Sequence, residues 1–334
     1  MLLRVQICVY IIENSQLFCK FRRDLTAESN SAHRDGGRSR FRAERAPLLA
    51  PTDPALPRNA FTVDVEDWYQ SCINYDAPIT ERVVRNVDLI LRVLDDNRIK
   101  GTFFIQGLVA ETFPELVSSL VSEGHEVQSH GYSHRPLFAM SRVELRDELE
   151  RAKKTVEDAA GTAVTSFRAQ DFSILNGNLW ALETLADVGF EIDSSIFPMR
   201  AKAYGIPGWP LEPHYVVGDG GTRILEVPVA IWALGRLRVP VAGGGYFRVL
   251  PLRLLDRGLR SIAADRPAVV YCHPYEFNRH ELADYDTVGR RYRFTQGLGR
   301  GYFTRRVREL LARPGYGRFT DVLAAWGLRS TSST

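Results

Sequence analysis

The feature that most constrains the fold is a regular alternation of short apolar runs with longer amphipathic stretches. Residues 60–63, 101–105 and 125–130 have the length and composition of strands. Between them, residues 80–97 and 110–123 repeat apolar side chains at helical spacing. A chain that alternates strands with helices in this way predicts a parallel α/β sheet with right-handed crossover connections.

The alternation continues further along the chain. A long amphipathic pattern over 141–160 and a shorter one over 179–188 predict helices, and residues 165–168, 191–193 and 268–273 predict strands. Polar residues follow several of the predicted strands. In parallel α/β folds, ligands and chemistry collect at the carboxyl ends of strands. We therefore expect these polar residues to face one another around one rim.

Acidic and histidine side chains at two of those strand ends have the pattern of metal ligands. Asp64, Glu66 and Asp67 follow the first strand, and His130 and His134 lie four residues apart after the third. Two neutral imidazoles and one carboxylate bind a divalent cation and leave positions open for water and substrate. A histidine pair at this spacing is a weak signal by itself, and the carboxylates could instead cap the next helix.

Further residues have the chemistry that amide hydrolysis needs beside such a cation. Asp64 is a candidate base for the attacking water, and His273 is a candidate acid for the leaving amine. Arg168 is expected to hold Asp64 through a charge-assisted hydrogen bond. Asp193 is expected to orient His273 in the same way, although with Ser194 it also fits a plain turn. The joint occurrence of these residues at strand ends favours a metal-dependent hydrolase.

The bulk composition excludes several classes of protein. Of the 334 residues, 45% are hydrophobic and 25% are charged, which is ordinary for a globular chain with a sizeable core. The formal net charge of +3 does not indicate a nucleic-acid partner. The four cysteines lack CxxC spacing, so they indicate neither a zinc knuckle nor a disulfide framework.

The two ends of the chain are expected to flank a catalytic region at 59–274. Residues 1–58 predict a disordered N-terminal extension, because 24–58 is rich in Arg, Ser, Ala and Pro and has no apolar period. The opening apolar run is short and interrupted, so neither a signal peptide nor a membrane span is predicted. Residues 275–330 predict an Arg- and Tyr-rich extension that packs on the catalytic region.

From Phe61 to His273 the chain resembles the polysaccharide deacetylases of the NodB-homology superfamily, carbohydrate esterase family 4. Five motifs of that family occur in order, at residues 62–67, 129–134, 167–173, 193–195 and 270–274. The Asp-Val-Glu-Asp-Trp form of the first motif, the His-Pro-Tyr-Glu-Phe stretch and the Arg-rich tail resemble one subgroup. That subgroup comprises the deacetylases of exosortase-associated exopolysaccharide loci.

The resemblance implies a distorted (β/α)7 barrel of the NodB-homology type with a C-terminal helical extension. It also implies a bound divalent metal, with zinc expected first and cobalt, nickel or manganese compatible with the same ligands. His130 and His134 are then two of the ligands. Val65 occupies the usual position of the third ligand, so Glu66 is expected to replace it, with Asp67 as the alternative.

Three functions remain open at this point. The resemblance favours a metal-dependent de-N-acetylase of an N-acetylated polysaccharide or lipid-linked glycan, in the cytoplasm or peripheral to the inner membrane. Relatives on the same fold hydrolyse the C–N bonds of cyclic imides or ureides. The third possibility is a non-catalytic glycan-binding assembly module that docks through the Arg- and Tyr-rich tail. Metal content and acetate release distinguish the first function from the other two.

Overall fold

The computed structural model describes residues 41–201, 204–283, 285 and 288–328. The strands are β1 (Arg42–Arg45), β2 (Asn59–Val65), β3 (Thr102–Ile105), β4 (Glu126–Ser129), β5 (Ser166–Phe167), β6 (Ile192–Asp193), β7 (His214–Val217), β8 (Arg223–Glu226), β9 (Ile231–Leu234), β10 (Leu237–Pro240), β11 (Ala268–Cys272) and β12 (Tyr316–Gly317). The helices are α1 (Trp68–Cys72), α2 (Arg82–Asn97), α3 (Gly107–Thr112), α4 (Pro114–Ser122), α5 (Arg142–Ala160), α6 (Ala181–Asp187), α7 (Gly244–Val249), α8 (Leu252–Asp265), α9 (Pro274–Phe277), α10 (Arg290–Gly297), α11 (Arg300–Leu311) and α12 (Phe319–Ala325).

Seven parallel strands form the part of the sheet that carries the candidate site. Their spatial order is β8-β6-β5-β4-β3-β2-β11, and each neighbouring pair in this run is parallel. The register pairs Asp64 with Phe104 and Ser129 with Phe167, so the residues that follow these strands emerge at one edge of the sheet. The predicted parallel α/β fold is confirmed.

Irregular backbone closes the ring between β8 and β11. The Ala230 amide donates to the Val269 carbonyl at 2.8 Å, and the Tyr271 amide donates to the Ala242 carbonyl at 2.7 Å. Gly243 approaches Tyr271 so closely that a β-carbon on it would lie 1.6 Å from the Tyr271 carbonyl oxygen. Only glycine fits this closure, and the barrel is distorted because loop backbone takes the place of a regular ladder there.

Helix α2 shows how the apolar residues of a predicted helix pack against the sheet. Val83, Val87, Ile90 and Leu94 recur at three- and four-residue spacing, and each is buried. A fully buried aliphatic side chain of this kind contributes about 1.5–3 kcal/mol relative to leaving it exposed. The helix ends where Arg98 adopts a left-handed conformation with φ of 55°. These contacts hold α2 against the sheet and so fix the loop that precedes it.

Residues 41–58 are ordered, with β1 at one edge of the sheet and the residues after it against the C-terminal segment. Strand β1 pairs antiparallel with β7, and the Leu49 amide donates to the Trp326 carbonyl at 3.0 Å. The expectation of disorder through residue 58 is therefore wrong for 41–58, whereas residues 1–40 lie outside the described residues. The side chains of this edge strand are exposed or half-buried, so they can be polar while the backbone makes the pairing. The sequence of β1 therefore lacks the apolar period by which inner strands are recognised.

Two β-hairpins form in the Gly- and Pro-rich region after β6. Strands β7 and β8 pair antiparallel at the edge of the main sheet, and β9 pairs antiparallel with β10 in a separate two-stranded sheet. The hairpin of β9 and β10 turns at Gly235, whose φ of 60° is accessible to glycine without steric penalty. These hairpins lead into α7, which lies against the candidate site.

The C-terminal segment packs on the barrel through helices and one short strand. Strand β12 pairs parallel with the start of β2 at Asn59 and Ala60. Helix α11 buries Phe303, Val307 and Leu310 on one face. The predicted helical C-terminal extension is confirmed. In the part of the chain that the structure describes, no helix is both long and apolar enough to cross a bilayer.

Candidate metal centre and catalytic cleft

Glu66, His130 and His134 converge just beyond the carboxyl ends of β2 and β4. One ligand atom of each residue lies within 4.8 Å of the other two, and all three residues are buried. Glu66 Oε2 lies 3.4 Å from His130 Nε2 and in close contact with His134 Nε2. The structure therefore brings the two imidazoles together with a carboxylate that lies more than sixty positions earlier in the sequence.

Hydrogen bonding selects the ring atom that His130 offers to a cation. Its Nδ1 lies 2.8 Å from the Arg168 carbonyl oxygen. A carbonyl oxygen only accepts hydrogen bonds, so Nδ1 carries the proton. In the neutral imidazole, Nε2 is then unprotonated and directs its lone pair toward Glu66. Metal-binding histidines are commonly oriented by such a bond from the opposite ring nitrogen.

The loop between the two histidines contains left-handed backbone at both ends. Gly131 has φ of 70°, and a β-carbon there would meet Gln170 Oε1 at 2.7 Å. His134 has φ of 64°, which is uncommon for a residue with a β-carbon. Such a conformation costs on the order of 1–3 kcal/mol and persists where the surroundings dictate it. Here it directs His134 Nε2 toward Glu66.

The electrostatics of Glu66 fit a cation. Burial by itself raises the pKa of this carboxyl, but His134 and His130 outweigh burial and hold its pKa well below the ordinary value of 4.5. Glu66 is thus a buried carboxylate that faces two imidazole nitrogens. A donor set of two imidazole nitrogens and one carboxylate oxygen fits zinc and other first-row divalent cations.

Asp67 is a helix cap and does not face the histidines. Its Oδ1 accepts hydrogen bonds from the Tyr69 amide at 3.0 Å and the Gln70 amide at 3.3 Å, at the start of α1. Its Oδ2 accepts from the Thr80 amide at 3.0 Å and the Thr80 hydroxyl at 2.5 Å. All four contacts are local and structural. The alternative that Asp67 supplies the third ligand is therefore wrong, and Glu66 has the required position.

Asp64 is paired with Arg168, as expected from the sequence. Arg168 Nη1 donates to Asp64 Oδ1 at 2.8 Å and to the Thr62 hydroxyl at 2.7 Å. Its Nη2 donates to Ser194 Oγ at 3.2 Å, and its guanidinium carbon lies 4.2 Å from the centre of the Phe104 ring. Both charged side chains are buried. A charge-assisted bond in such surroundings fixes the orientation of the Asp64 carboxylate.

His273 is paired with Glu276, three residues further along the chain. Its Nδ1 lies 3.2 Å from Glu276 Oε2, and its amide donates to the same oxygen at 3.1 Å. Burial lowers the pKa of His273, but the Glu276 bond and the charges of Glu66, Glu276 and Asp64 outweigh it and raise the pKa to about 9. His273 is therefore protonated at neutral pH, which is the state that a general acid needs.

The interpretation that Asp193 orients His273 is wrong. Asp193 accepts hydrogen bonds from the amide and hydroxyl of Ser195, the amide at 3.3 Å. It also lies beside Glu226, its register partner on β8. Burial and the charge of Asp193 raise the pKa of Glu226 well above its ordinary value. Glu226 is therefore the neutral member of a buried carboxyl pair, and the pair braces β6 against β8 instead of contacting His273.

Three residues of the site were missed by reasoning from the sequence alone. Glu276 holds His273, and Arg248 Nε lies 3.3 Å from Glu276 Oε1 on the other side. The Tyr275 hydroxyl donates to Glu66 Oε1 at 3.1 Å. The available signal was the stretch after His273, where proline starts a helix and places a glutamate three residues on, as in a capping box.

These groups line one cleft together with residues of the C-terminal segment. The cleft is lined by Asp64, Glu66, Cys72, Tyr75, His130, His134, Asp171, Tyr204, Arg248, His273, Tyr275, Glu276, Tyr292 and Gln296, among others. Tyr292 and Gln296 lie four positions apart on α10, so they share one face of that helix. The C-terminal segment therefore contributes a wall of the cleft.

Two family models match separate parts of the chain. Residues 73–185 match the polysaccharide deacetylase model. Residues 194–324 match DUF3473, a domain of unknown function. The first range contains His130 and His134, and the second contains His273. The candidate site therefore takes residues from both matched regions, while Asp64 and Glu66 lie before the first of them.

Several curated proteins are similar to part of the chain. Peptidoglycan-N-acetylglucosamine deacetylase of Bacillus cereus is 35% identical over 95 residues, which cover 28% of this chain and 34% of the relative. Peptidoglycan deacetylase of Helicobacter pylori is 30% identical over 138 residues, covering 40% and 42%. A chitooligosaccharide deacetylase of Bradyrhizobium is 31% identical over 97 residues, covering 29% and 42%. The chain thus spans less than half the length of these relatives.

Solved structures share the fold over most of the chain. A crystal structure from Mycobacterium smegmatis, described as a polysaccharide deacetylase, has a TM-score of 0.53 at 20% identity and covers 87% of this chain and 97% of its own. Puue allantoinase has a TM-score of 0.54 at 14% identity, covering 83% and 93%. Fold and site together define a distorted α/β barrel with a candidate mononuclear metal centre. More narrowly, residues 73–185 are similar to the polysaccharide deacetylase family.

Proposed function

We propose that this protein is a metal-dependent de-N-acetylase of a polymer-linked amino sugar. The observation that carries the proposal is that one three-residue cluster and two charged pairs lie together in one cleft. These are the Glu66–His130–His134 cluster, the buried Asp64–Arg168 pair and the His273–Glu276 pair. Each supplies one function that amide hydrolysis requires: a cation site, a base and an acid.

Glu66 Oε2, His130 Nε2 and His134 Nε2 would hold the divalent cation. Zinc is the proposed metal, and cobalt, nickel and manganese accept the same donor set. When bound, the cation supplies Lewis-acid polarisation of the scissile carbonyl. The protonated Nδ1 of His130 and the ionised state of Glu66 support this assignment, since both leave their ligand atoms ready to bind.

Asp64 and His273 carry the two proton transfers. Asp64 accepts a proton from the water that attacks the amide carbon. The carbon–nitrogen bond breaks as His273 donates a proton to the nitrogen, so acetate and a free amine leave. Arg168 keeps the Asp64 carboxylate aimed. Glu276 keeps His273 oriented and its pKa at about 9.

The proposed substrate is an N-acetylated exopolysaccharide, either as a polymer or as a lipid-linked glycan. The names of the similar curated proteins refer to peptidoglycan and to chitooligosaccharides, both of which contain N-acetylated sugars. Their similarity to this chain supports the class of bond. The motif forms shared with exopolysaccharide-locus deacetylases support the narrower choice of polymer.

Elemental analysis paired with an acetate-release assay tests the proposal. The purified wild type should contain about one divalent metal per chain and release acetate from N-acetylglucosamine oligomers. His130→Ala should lose both properties. The matched control is His125→Ala, because buried His125 does not line the cleft and its Nδ1 accepts from the Gly101 amide at 3.1 Å. Metal-free wild type with full activity contradicts the proposal.

The same assay separates the alternative functions. Hydrolysis of a cyclic ureide such as allantoin, without acetate release, would identify the alternative C–N hydrolase; the fold shared with Puue allantoinase makes it the natural comparison. Glycan binding that survives both Asp64→Asn and His273→Ala, with no turnover by the wild type, would identify a non-catalytic module.

A further inference from the structure

The two oxygens of the Glu66 carboxylate have different partners. Oε2 faces His130 and His134. Oε1 accepts a hydrogen bond from the Tyr275 hydroxyl at 3.1 Å. Both Glu66 and Tyr275 are buried. A hydrogen bond to one oxygen limits rotation of the carboxylate, so the other oxygen keeps a fixed direction toward the two imidazoles.

Tyr275 is itself held through contacts to its ring and through a hydrogen bond to its backbone. Its ring stacks on His273 with 4.9 Å between centroids and 10° between planes. It also belongs to a small buried apolar cluster with Trp68 and Leu282, which is separate from the main core. Arg300 donates from Nη1 to the Tyr275 carbonyl oxygen, and its guanidinium carbon lies 5.4 Å from the centre of the Tyr275 ring.

Arg300 comes from the C-terminal segment, at the start of α11. It is 3% exposed and donates from Nε to the Gln296 carbonyl at 2.8 Å. A rigid planar guanidinium can bond two carbonyls and lie near an aromatic ring at once, which a lysine ammonium cannot do in the same geometry. Arg300 therefore ties the end of α10 and the start of α11 to Tyr275, and through Tyr275 to Glu66.

We infer that Tyr275 is a positioning residue that fixes the metal-ligand carboxylate of Glu66, and that Arg300 holds Tyr275 in place for this role. The inference rests on the proposed function, because it assumes that Glu66 binds a metal. If Arg300 has this role, the C-terminal segment helps to position a ligand of the metal centre. Groups that orient a metal ligand in this way commonly change metal affinity 10- to 100-fold when they are removed, so an effect of about that size is expected.

The test is the zinc dissociation constant of the whole chain, measured by competition with a chelator. Tyr275→Phe keeps the ring that stacks on His273 and removes only the hydroxyl. It should weaken zinc binding roughly 10- to 100-fold, with unchanged stoichiometry. Arg300→Lys should weaken binding in the same direction by a smaller factor. Thermal unfolding of the metal-free proteins shows whether each variant is folded.

Two exposed residues of α11 supply matched controls. Tyr302→Phe removes a hydroxyl from a side chain that is 64% exposed. Arg308→Lys changes an arginine that pairs with Asp96 at 3.2 Å on the surface. Neither variant should change the zinc dissociation constant. A change as large as that of Tyr275→Phe in either control would overturn the inference.

The outcomes separate this inference from the proposed function. A wild type that binds no zinc refutes the proposed function. A wild type that binds one zinc, together with a Tyr275→Phe variant that binds it equally tightly, refutes the role of Tyr275 and leaves the function standing. If Tyr275→Phe does not fold, Arg300→Lys decides alone, and an unchanged dissociation constant in that variant counts against the inference.

Discussion

Replacing Glu276 by glutamine should lower the pKa of His273. The wild-type pKa of about 9, against an ordinary 6.5, corresponds to roughly 3 kcal/mol in favour of the protonated ring. Glu276 supplies two of the four contributions that raise it, a hydrogen bond and a charge, and the others come from Glu66 and Asp64. Removal of the Glu276 charge is therefore expected to lower the pKa by on the order of one pH unit or more.

The assay is an NMR titration of the His273 ring in metal-free protein, with His273→Gln used to assign the signal. Glu66 and Asp64 contribute equally in wild type and variant, so the difference isolates Glu276. A general acid works only while protonated, so activity falls as the pH rises through its pKa. In the metal-loaded protein, kcat/KM for acetate release should therefore fall at a lower pH in Glu276→Gln than in the wild type.

Asp193→Asn is the matched control, because the sequence pattern alone pointed to Asp193 as the partner of His273. In the structure Asp193 bonds Ser195, and the main causes of the raised His273 pKa are Glu276, Glu66 and Asp64 instead. The control should leave the His273 pKa in place. A His273 pKa that is unchanged in Glu276→Gln, or that falls in Asp193→Asn, would refute this reasoning.

Three further predictions concern stability. Arg168→Met leaves Asp64 buried without its partner and should lower the free energy of unfolding by about 3–5 kcal/mol in a denaturant titration. A loss below about 1 kcal/mol would contradict the view that the Arg168–Asp64 pair is buried and stabilising. The pKa of Glu66 lies below its ordinary 4.5, so its contribution to stability is present above that pH and is lost as the pH falls. Metal-free Glu66→Gln should therefore lose less stability than wild type on acidification below about pH 5, and equal losses would contradict this. A chain that starts at residue 59 should unfold at a lower temperature than one that starts at residue 41, because it lacks β1; equal melting temperatures would show that β1 adds nothing.

Residues at the ends of inner strands were predictable from the sequence. His130 and His134 follow an apolar run, as does Asp64, and parallel strands carry such residues to one edge of the sheet. Arg168 follows β5, which pairs with β4, and it reaches Asp64 from there. Strand order and strand direction are enough to predict that these side chains lie close together, since each of them follows a recognisable apolar segment.

The partners of these residues were harder to predict. Asp193 and Glu276 are both carboxylates near a motif of the site, and only the backbone path after His273 decides that Glu276 reaches its ring. Whether Glu66 or Asp67 faces the histidines depends on the residue at which α1 begins. Asp67 is the residue that caps this helix, so its Oδ1 accepts from the helix amides and Glu66 is the one left to face the histidines. Strand β1 was missed because its side chains stay largely exposed at the edge of the sheet, so they show no apolar period.

The pairing of β12 with β2 has a consequence for biosynthesis. Strand β2 leads directly into Glu66, yet it pairs with β11 at Ala268 and with β12 at Tyr316, which are both made much later than β2. Contacts between such distant positions form slowly, because a long loop must close first. During synthesis, the edge of β2 that later pairs with β11 and β12 therefore stays unpaired, and an unpaired strand edge is prone to aggregation. The cleft can reach its final geometry only after Tyr316 has been made.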